Sequence, residues 1–217
     1  MCYAELAFLP LTLIPVNCFA VVPPLCLVYG VPIYPMVSDP FFIVFPLAFS
    51  MGILKHLIEV LSSGHPARAC INEIRIMMIK SVTCHVYGTI NGILKQLGLR
   101  KSTFVPTNKV SDDEQLKRYE MGVFDFQTSP IFLIPMVSLV MLNIAAFMVG
   151  TGRAILRGDW NRTFLHITLS AFILFMSYPV IEGMIVRKDK GRIAPPVTLL
   201  SALVCGAILV LGWFCFA

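Results

Sequence analysis

The sequence predicts an all-α membrane protein with about five transmembrane helices, one amphipathic interfacial helix and a polar loop on the cytosolic side. Three observations carry this reading. Apolar residues make up 57% of the 217-residue chain and charged residues 13%, whereas a soluble domain holds roughly a quarter charged residues. Five separate stretches are apolar enough, at about 20 residues each, to cross the hydrocarbon as helices. The basic residues are clustered between those stretches rather than spread among them.

In chain order the spans fall at residues 7–29, 41–61, 131–150, 164–186 and 195–216. Pro10, Pro15, Pro23 and Pro24 predict kinks in the first. Lys55, His56 and Glu59 gather at the end of the second, where His56 and Glu59 at i, i+3 read as a pair at the membrane edge rather than a metal site. Short turns join the first two spans and the last three. Trp160 and Tyr29 fall near interfaces and read as belt residues. Glu182 lies near the end of the fourth span, within reach of Arg187.

The middle of the chain is different. From Ile71 the apolar positions run Ile74, Met78, Val82, Val86, Ile90, Ile93 and Leu97, one continuous stripe at helical spacing. Asn72, Glu73, Arg75, Lys80, His85, Asn91 and Lys95 occupy the other face. A charge at mid-span such as Lys80 would cost on the order of 3 kcal/mol, so this helix is expected to lie in the interface. Residues 100–130 are polar and loop-like. Ser111 and Glu114 have capping-box spacing and predict a short helix over 112–119.

Charge sets the orientation. With five spans, fourteen of the seventeen Lys and Arg residues fall on one side, and only Arg153, Arg157 and Arg162 fall opposite. The positive-inside rule then puts the N-terminus and the middle segment in the cytosol. Asn161-Arg162-Thr163 is an N-glycosylation sequon on the opposite, lumenal side. The seven cysteines show no CxxC spacing and sit in or near apolar stretches, which reads as small buried hydrophobes rather than a disulfide framework. No cluster of basic and stacking aromatic residues and no zinc spacing points to nucleic acid.

The polar loop carries a resemblance. Phe104-Val105-Pro106-Thr107-Asn108-Lys109 resembles the FxVTxK gating-loop motif of plant cellulose synthases and cellulose synthase-like glycosyltransferases. Residues 110–119 and 122–129, Met1-Cys2-Tyr3-Ala4-Glu5-Leu6-Ala7-Phe8 and Gly30-Val31-Pro32-Ile33-Tyr34-Pro35 are similar to the G group of that family. The resemblance implies four parts: two transmembrane helices over 1–61, an interfacial amphipathic helix over 62–99, a cytosolic gating loop over 100–130 and three transmembrane helices over 131–217. It implies that Phe104, Thr107 and Lys109 contact a UDP-sugar, and that Asn72, Glu73 and Arg75 keep part of the family's interfacial-helix pattern. The gating-loop valine is Pro106 here, and the usual tryptophan pair of the interfacial helix is Cys70-Ile71.

The family's catalytic aspartates have no counterpart, because the six aspartates form no DxD and no TED. Gln115-Leu116-Lys117-Arg118-Tyr119 superficially reads QxxR-aromatic, but it follows the gating loop, whereas the family's motif precedes these spans. No catalytic residue and no metal ligand are therefore assigned. The chain is expected to be a C-terminal portion whose partners are the bilayer and a preceding glycosyltransferase domain, within a homo-oligomer or alone. UDP-sugar and Mg or Mn are expected of the complete enzyme, with a cell-wall β-glycan or a triterpenoid as acceptor. The Golgi membrane is the expected compartment, with endoplasmic reticulum and plasma membrane as alternatives. The rival reading is a stand-alone scaffold or transporter, against which stands the lack of internal repeats.

Overall fold

The computed structural model describes residues 18, 20–99 and 113–216. They form helices and connecting turns. Helix α1 (Ala20–Tyr29) is followed by a short 3-10 turn (Pro40–Ile43) that runs into α2 (Val44–Ser62). Next come α3 (Ala67–Val82), α4 (Cys84–Gln96) and α5 (Asp113–Glu120). The chain ends with α6 (Pro130–Arg157), α7 (Trp160–Met176), α8 (Tyr178–Ile185) and α9 (Pro195–Phe216).

Among the described residues three helices are long and apolar enough to cross a membrane: Pro40–Ser62, Pro130–Arg157 and Pro195–Phe216. The α7–α8 pair qualifies as a fourth, bent span, and α1 is a shorter apolar helix. Residues 7–17 and 19 of the first expected span lie outside the described residues.

Helix α6 is the centre of the fold. It is 28 residues long, outlasting its expected end at residue 150, and stops at Gly158, whose φ of 71° supplies the left-handed turn. Helices α7 and α9 pack along it. In the contact with α9, the Ser138 hydroxyl donates to the Ser201 carbonyl at 3.2 Å and the Ser201 hydroxyl to the Ile134 carbonyl at 3.3 Å. In the contact with α7, the Ser170 hydroxyl donates to the Asn143 carbonyl at 3.1 Å. Small hydroxyl residues let apolar helices approach closely and bond across an interface where water offers no alternative partner.

Glycines seat α1 against this core. A Cβ on Gly150 would lie 2.3 Å from Leu27 Cδ1, and one on Gly212 would lie 2.9 Å from Leu25 and Tyr29 atoms. The end of α1 is capped from afar: the Arg153 guanidinium donates to the Leu27 and Val28 carbonyls at 3.4 and 2.6 Å. These are carbonyls that a helix terminus leaves unpaired, and a cation there also suits the helix dipole. Arg153, one of three basic residues on the charge-poor side, is thus a structural cap.

Two expected elements are broken. The fourth span bends by 61° between α7 and α8. Pro179, in the first turn of α8, lacks the N–H that would continue the helix, and its ring crowds the carbonyl four residues earlier. The amphipathic helix, expected to run unbroken over 71–97, divides at Thr83 (φ −124°, ψ −89°). The buried Thr83 hydroxyl donates to the Ile79 carbonyl at 2.6 Å, a local bond that competes with helix continuation. The short helix expected over 112–119 is α5, shifted by one residue.

Helix α3 lies across α2, α6 and α7, and α4 leads away from them. One aromatic contact ties α4 back: the Tyr87 ring meets Phe132 edge to face at 5.2 Å. Ile90, Ile93 and Leu97, the far half of the apolar stripe, remain exposed.

Candidate functional site

The residues expected to touch a nucleotide-sugar, Phe104, Thr107 and Lys109, lie outside the described residues. What is described is the helix before them and the segment after them, and each forms a built feature.

The first feature is a cavity of about 470 Å³ under α3. Ile74 and Met78 of α3 form its cover, and Ile53 of α2, Val140 of α6 and Phe172 of α7 are among its walls. The inward face of the amphipathic helix therefore roofs a hollow. Arg75 and His56 are the ionisable groups among the described residues of its wall. The Arg75 guanidinium carbon sits 6.0 Å from the centre of the Phe175 ring, and its Nε is buried without a hydrogen-bond partner. His56 Nε2 is 3.2 Å from Glu73 Oε2, an ion pair when the imidazole is protonated, joining α2 to α3. This corrects the expected His56–Glu59 pairing: Glu59 faces Lys55 at 3.8 Å. Sequence spacing favoured the neighbour on the same helix, but α3 crosses α2 at this point and brings Glu73 closer. Asn72, the third of the expected residues, is half-buried on α3.

The second feature is a polar latch where the loop re-enters the bundle. The buried Arg118 of α5 donates through Nε to Asp125 Oδ2 at 2.9 Å, and Asp125 Oδ1 accepts from the Gln127 N–H at 2.9 Å. Arg187, from the turn between α8 and α9, donates to the Phe124 carbonyl and grips Asp189 through Nε at 2.8 Å and Nη2 at 2.5 Å. The Phe126 N–H donates to the Gly191 carbonyl at 3.1 Å. A Cβ on Gly191 would lie 2.5 Å from Arg187 Nη2 and 3.3 Å from Arg118 Cδ, so this crowded crossing takes glycine. The Arg187 hydrogen bond holds the Asp189 carboxyl below its ordinary value. Arg187 thus pairs with Asp189 rather than with the expected Glu182, whose backbone carbonyl accepts from the Arg187 N–H instead. The Arg118 of the QxxR-aromatic look-alike is here a latch residue bound to Asp125.

On the opposite end of the bundle, Asn161 clamps the turn between α1 and α2. Its Oδ1 accepts from the Ser38 N–H and its Nδ2 donates to the Ser38 hydroxyl, both at 3.0 Å. The sequon asparagine therefore has a structural partner. Among the described residues no group of three His, Cys, Asp or Glu could hold a metal ion. Cys26, Cys70 and Cys205 are buried, whereas Cys18, Cys84 and Cys215 are exposed, so the expectation of burial holds for half of the described cysteines.

The family model described as Cellulose synthase matches residues 1–216. The chain belongs to the cellulose synthase family. It is 38% identical over 192 residues to quillaic acid 3-O-glycosyltransferase CSL1 of Saponaria officinalis, covering 88% of this chain and 28% of that protein. Cellulose synthase-like protein E1 of Oryza sativa subsp. japonica is 34% identical over 192 residues, or 87% of this chain and 26% of the relative. Cellulose synthase A catalytic subunit 2 (UDP-forming) of Arabidopsis thaliana is 26% identical over 213 residues, or 97% of this chain and 19% of the relative. The chain therefore spans roughly a quarter of the length of the first two relatives. No solved structure matches it. Its apolar helices and its place among cellulose synthase-like proteins make it a membrane protein.

Nothing in the sequence marked Asp125 or Asp189 as latch residues. Their side-chain pairs are local, seven residues for Arg118–Asp125 and two for Arg187–Asp189; what only the folded chain supplies is the joining of residues 124–126 to 187–191 through the Phe124 carbonyl and the Phe126 N–H.

Proposed function

We propose that this chain is the C-terminal transmembrane module of a glycosyltransferase that passes a sugar from a UDP-sugar to an acceptor, a triterpenoid acid ahead of a cell-wall β-glycan. The observation that carries the reading is the 38% identity, over 88% of this chain, to a protein named as a quillaic acid glycosyltransferase. In this reading α1, α2, α6, the bent α7–α8 pair and α9 are five spans, and α3 and α4 lie along the cytosolic interface. The N-terminus and residues 62–130 face the cytosol, most of the basic residues lie with them, and the Golgi membrane is the site of action.

The chain's own part in the reaction is positioning. The loop bearing Phe104, Thr107 and Lys109 closes over the donor. Lys109 brings positive charge to the pyrophosphate as it gathers negative charge on departure, Thr107 donates a hydrogen bond, and Phe104 packs the loop down. The latch at Asp125 and Arg187 fixes the loop's far end to the bundle, so that closure is a movement about an anchored point. Among the described residues no group of three His, Cys, Asp or Glu fits the Mg or Mn ion expected of the complete enzyme.

The test is to express the longest reading frame that contains this chain in plant microsomes, with labelled UDP-glucuronate and UDP-glucose as donors. Transfer to a triterpenoid acid, abolished by Lys109→Ala, is expected. Absence of transfer to either a triterpenoid or a glucan would refute the proposal. Protease added to sealed microsomes is expected to cut within residues 100–130, and protection of that loop would reverse the topology.

A further inference from the structure

The transfer reaction leaves the cavity under α3 without a role. We infer that this cavity is the acceptor's seat, that it takes an apolar, ring-bodied carboxylic acid, and that Arg75 holds the acid's carboxylate. The inference rests on the glycosyltransferase reading and adds to it the location and anchoring group of the acceptor.

Size and lining agree with such a ligand. At about 470 Å³ the cavity lies in the range of sites that enclose one small molecule. Ile53, Ile74, Met78, Val140 and Phe172 give its wall an almost wholly apolar surface. A glycan would bring hydroxyls to every part of that wall, and each one desolvated without a partner costs about 1–3 kcal/mol. A fused-ring hydrocarbon skeleton incurs no such cost and gains from every contact.

Charge selects the polar end. Most polar side chains in the wall are already engaged. The Ser81 hydroxyl donates to the Met77 carbonyl at 2.7 Å, the Asn143 amide to the Leu139 carbonyl at 2.9 Å, and His56 pairs with Glu73. Arg75 differs. Its only described companion is the Phe175 ring, which offers a quadrupole but no acceptor, and its buried Nε has no partner. Arg75 is half-buried, and a carboxylate with two oxygens matches its guanidinium fork and would reach the unpartnered Nε. An uncharged sterol-like body would leave that fork unmatched.

The test uses the full-length protein in detergent and no sugar donor. Tritiated quillaic acid is the probe, with its methyl ester and oleate as competitors, and UDP binding reports that each variant is folded. Saturable binding is expected, weakened about tenfold or more by Arg75→Ala and by replacing the acid with its methyl ester. Arg75→Lys should recover part of the loss. Gly52→Leu should block the cavity: Gly52 lines it, and a Cβ there meets nothing within 4 Å, so the added side chain has room to fold in. Unchanged binding in both Arg75→Ala and Gly52→Leu would overturn the assignment. So would equal competition by oleate, which would make the cavity a site for membrane fatty acid. A protein that fails to bind the acid but still glycosylates a glucan refutes the cavity assignment alone. One that binds the acid at Arg75 yet transfers sugar to nothing refutes the glycosyltransferase reading, and the acceptor role with it.

Discussion

The Tyr87 hydroxyl donates to the main-chain carbonyl of Ile131 at 2.9 Å. That carbonyl is the one Pro135 strands inside α6, because proline has no N–H to offer the residue four positions before it. The proline leaves that carbonyl without its helical donor, and α4 supplies one. A defect in one helix thus becomes the attachment point of another.

Tyr87→Phe keeps the edge-to-face contact with Phe132 and removes this hydrogen bond. A loss of about 1 kcal/mol is expected, read as a lower Tm in detergent and faster hydrogen exchange in α4. Pairing it with Pro135→Ala, which restores the helix's own donor, should make the Tyr87→Phe effect small. An equal effect in both backgrounds would mean the bond does not serve the proline gap.

Gly150→Leu should be among the most damaging single changes to the bundle. Even a Cβ there would lie 2.3 Å from Cδ1 of the buried Leu27, far inside van der Waals contact, so α1 must move off α6. Overpacking of this kind costs about 1–3 kcal/mol or more. Chymotrypsin sensitivity at Tyr29 and Tyr34, at and just beyond the end of α1, should rise. Gly52→Leu, where the same addition meets open space, serves as the tolerated control.

Arg153→Ala removes the distant cap on α1 and leaves the Leu27 and Val28 carbonyls without that donor. About 1–2 kcal/mol of stability should go with it, the range of a partly buried cation at a helix terminus. Arg153→Lys should restore part of it, since the charge returns but the two-pronged geometry does not. Rescue as complete as wild type would point to charge alone.

The Arg187–Asp189 grip sets a pH expectation. The folded carboxyl titrates below its ordinary value because Arg187 stabilises its charged form. Its contribution is therefore fully present above the unfolded value of about 3.9 and is lost as the pH falls through the lower, folded value. Across pH 5–8 the latch should not respond. Between about pH 4 and pH 2 wild type should lose more Tm than Asp189→Asn, and identical acid limbs would show that the grip adds no stability.

His56→Ala, Glu73→Gln and their double variant form a cycle for the α2–α3 pair. The side chains are 36% and 50% exposed, so solvent screening limits the coupling to about 0–1 kcal/mol. A coupling above about 2 kcal/mol would mean that the pair is buried more deeply than its geometry indicates.

The apolar stretches fixed the second, third and last spans in the sequence itself, because a helix that satisfies its own backbone in hydrocarbon needs only length and composition. Pro195–Phe216 begins and ends where its hydropathy says it should. The stripe from Ile71 to Leu97 announced an amphipathic helix but not its break, since Thr83 interrupts the helix through a side-chain bond that leaves the apolar spacing intact. Pro179 was visible in the sequence, yet whether a proline bends a helix by 61° or is absorbed depends on what packs against it.

The partners were decided by tertiary structure alone. His56 meets Glu73 rather than Glu59, Arg187 donates to the Phe124 carbonyl 63 residues away, and Arg75 faces a cavity that no single helix contains. Spans are a matter of local composition, which one stretch of chain carries by itself. Which charge meets which, and where a hollow is left, depends on how helices distant in sequence cross, and that is settled only when they pack.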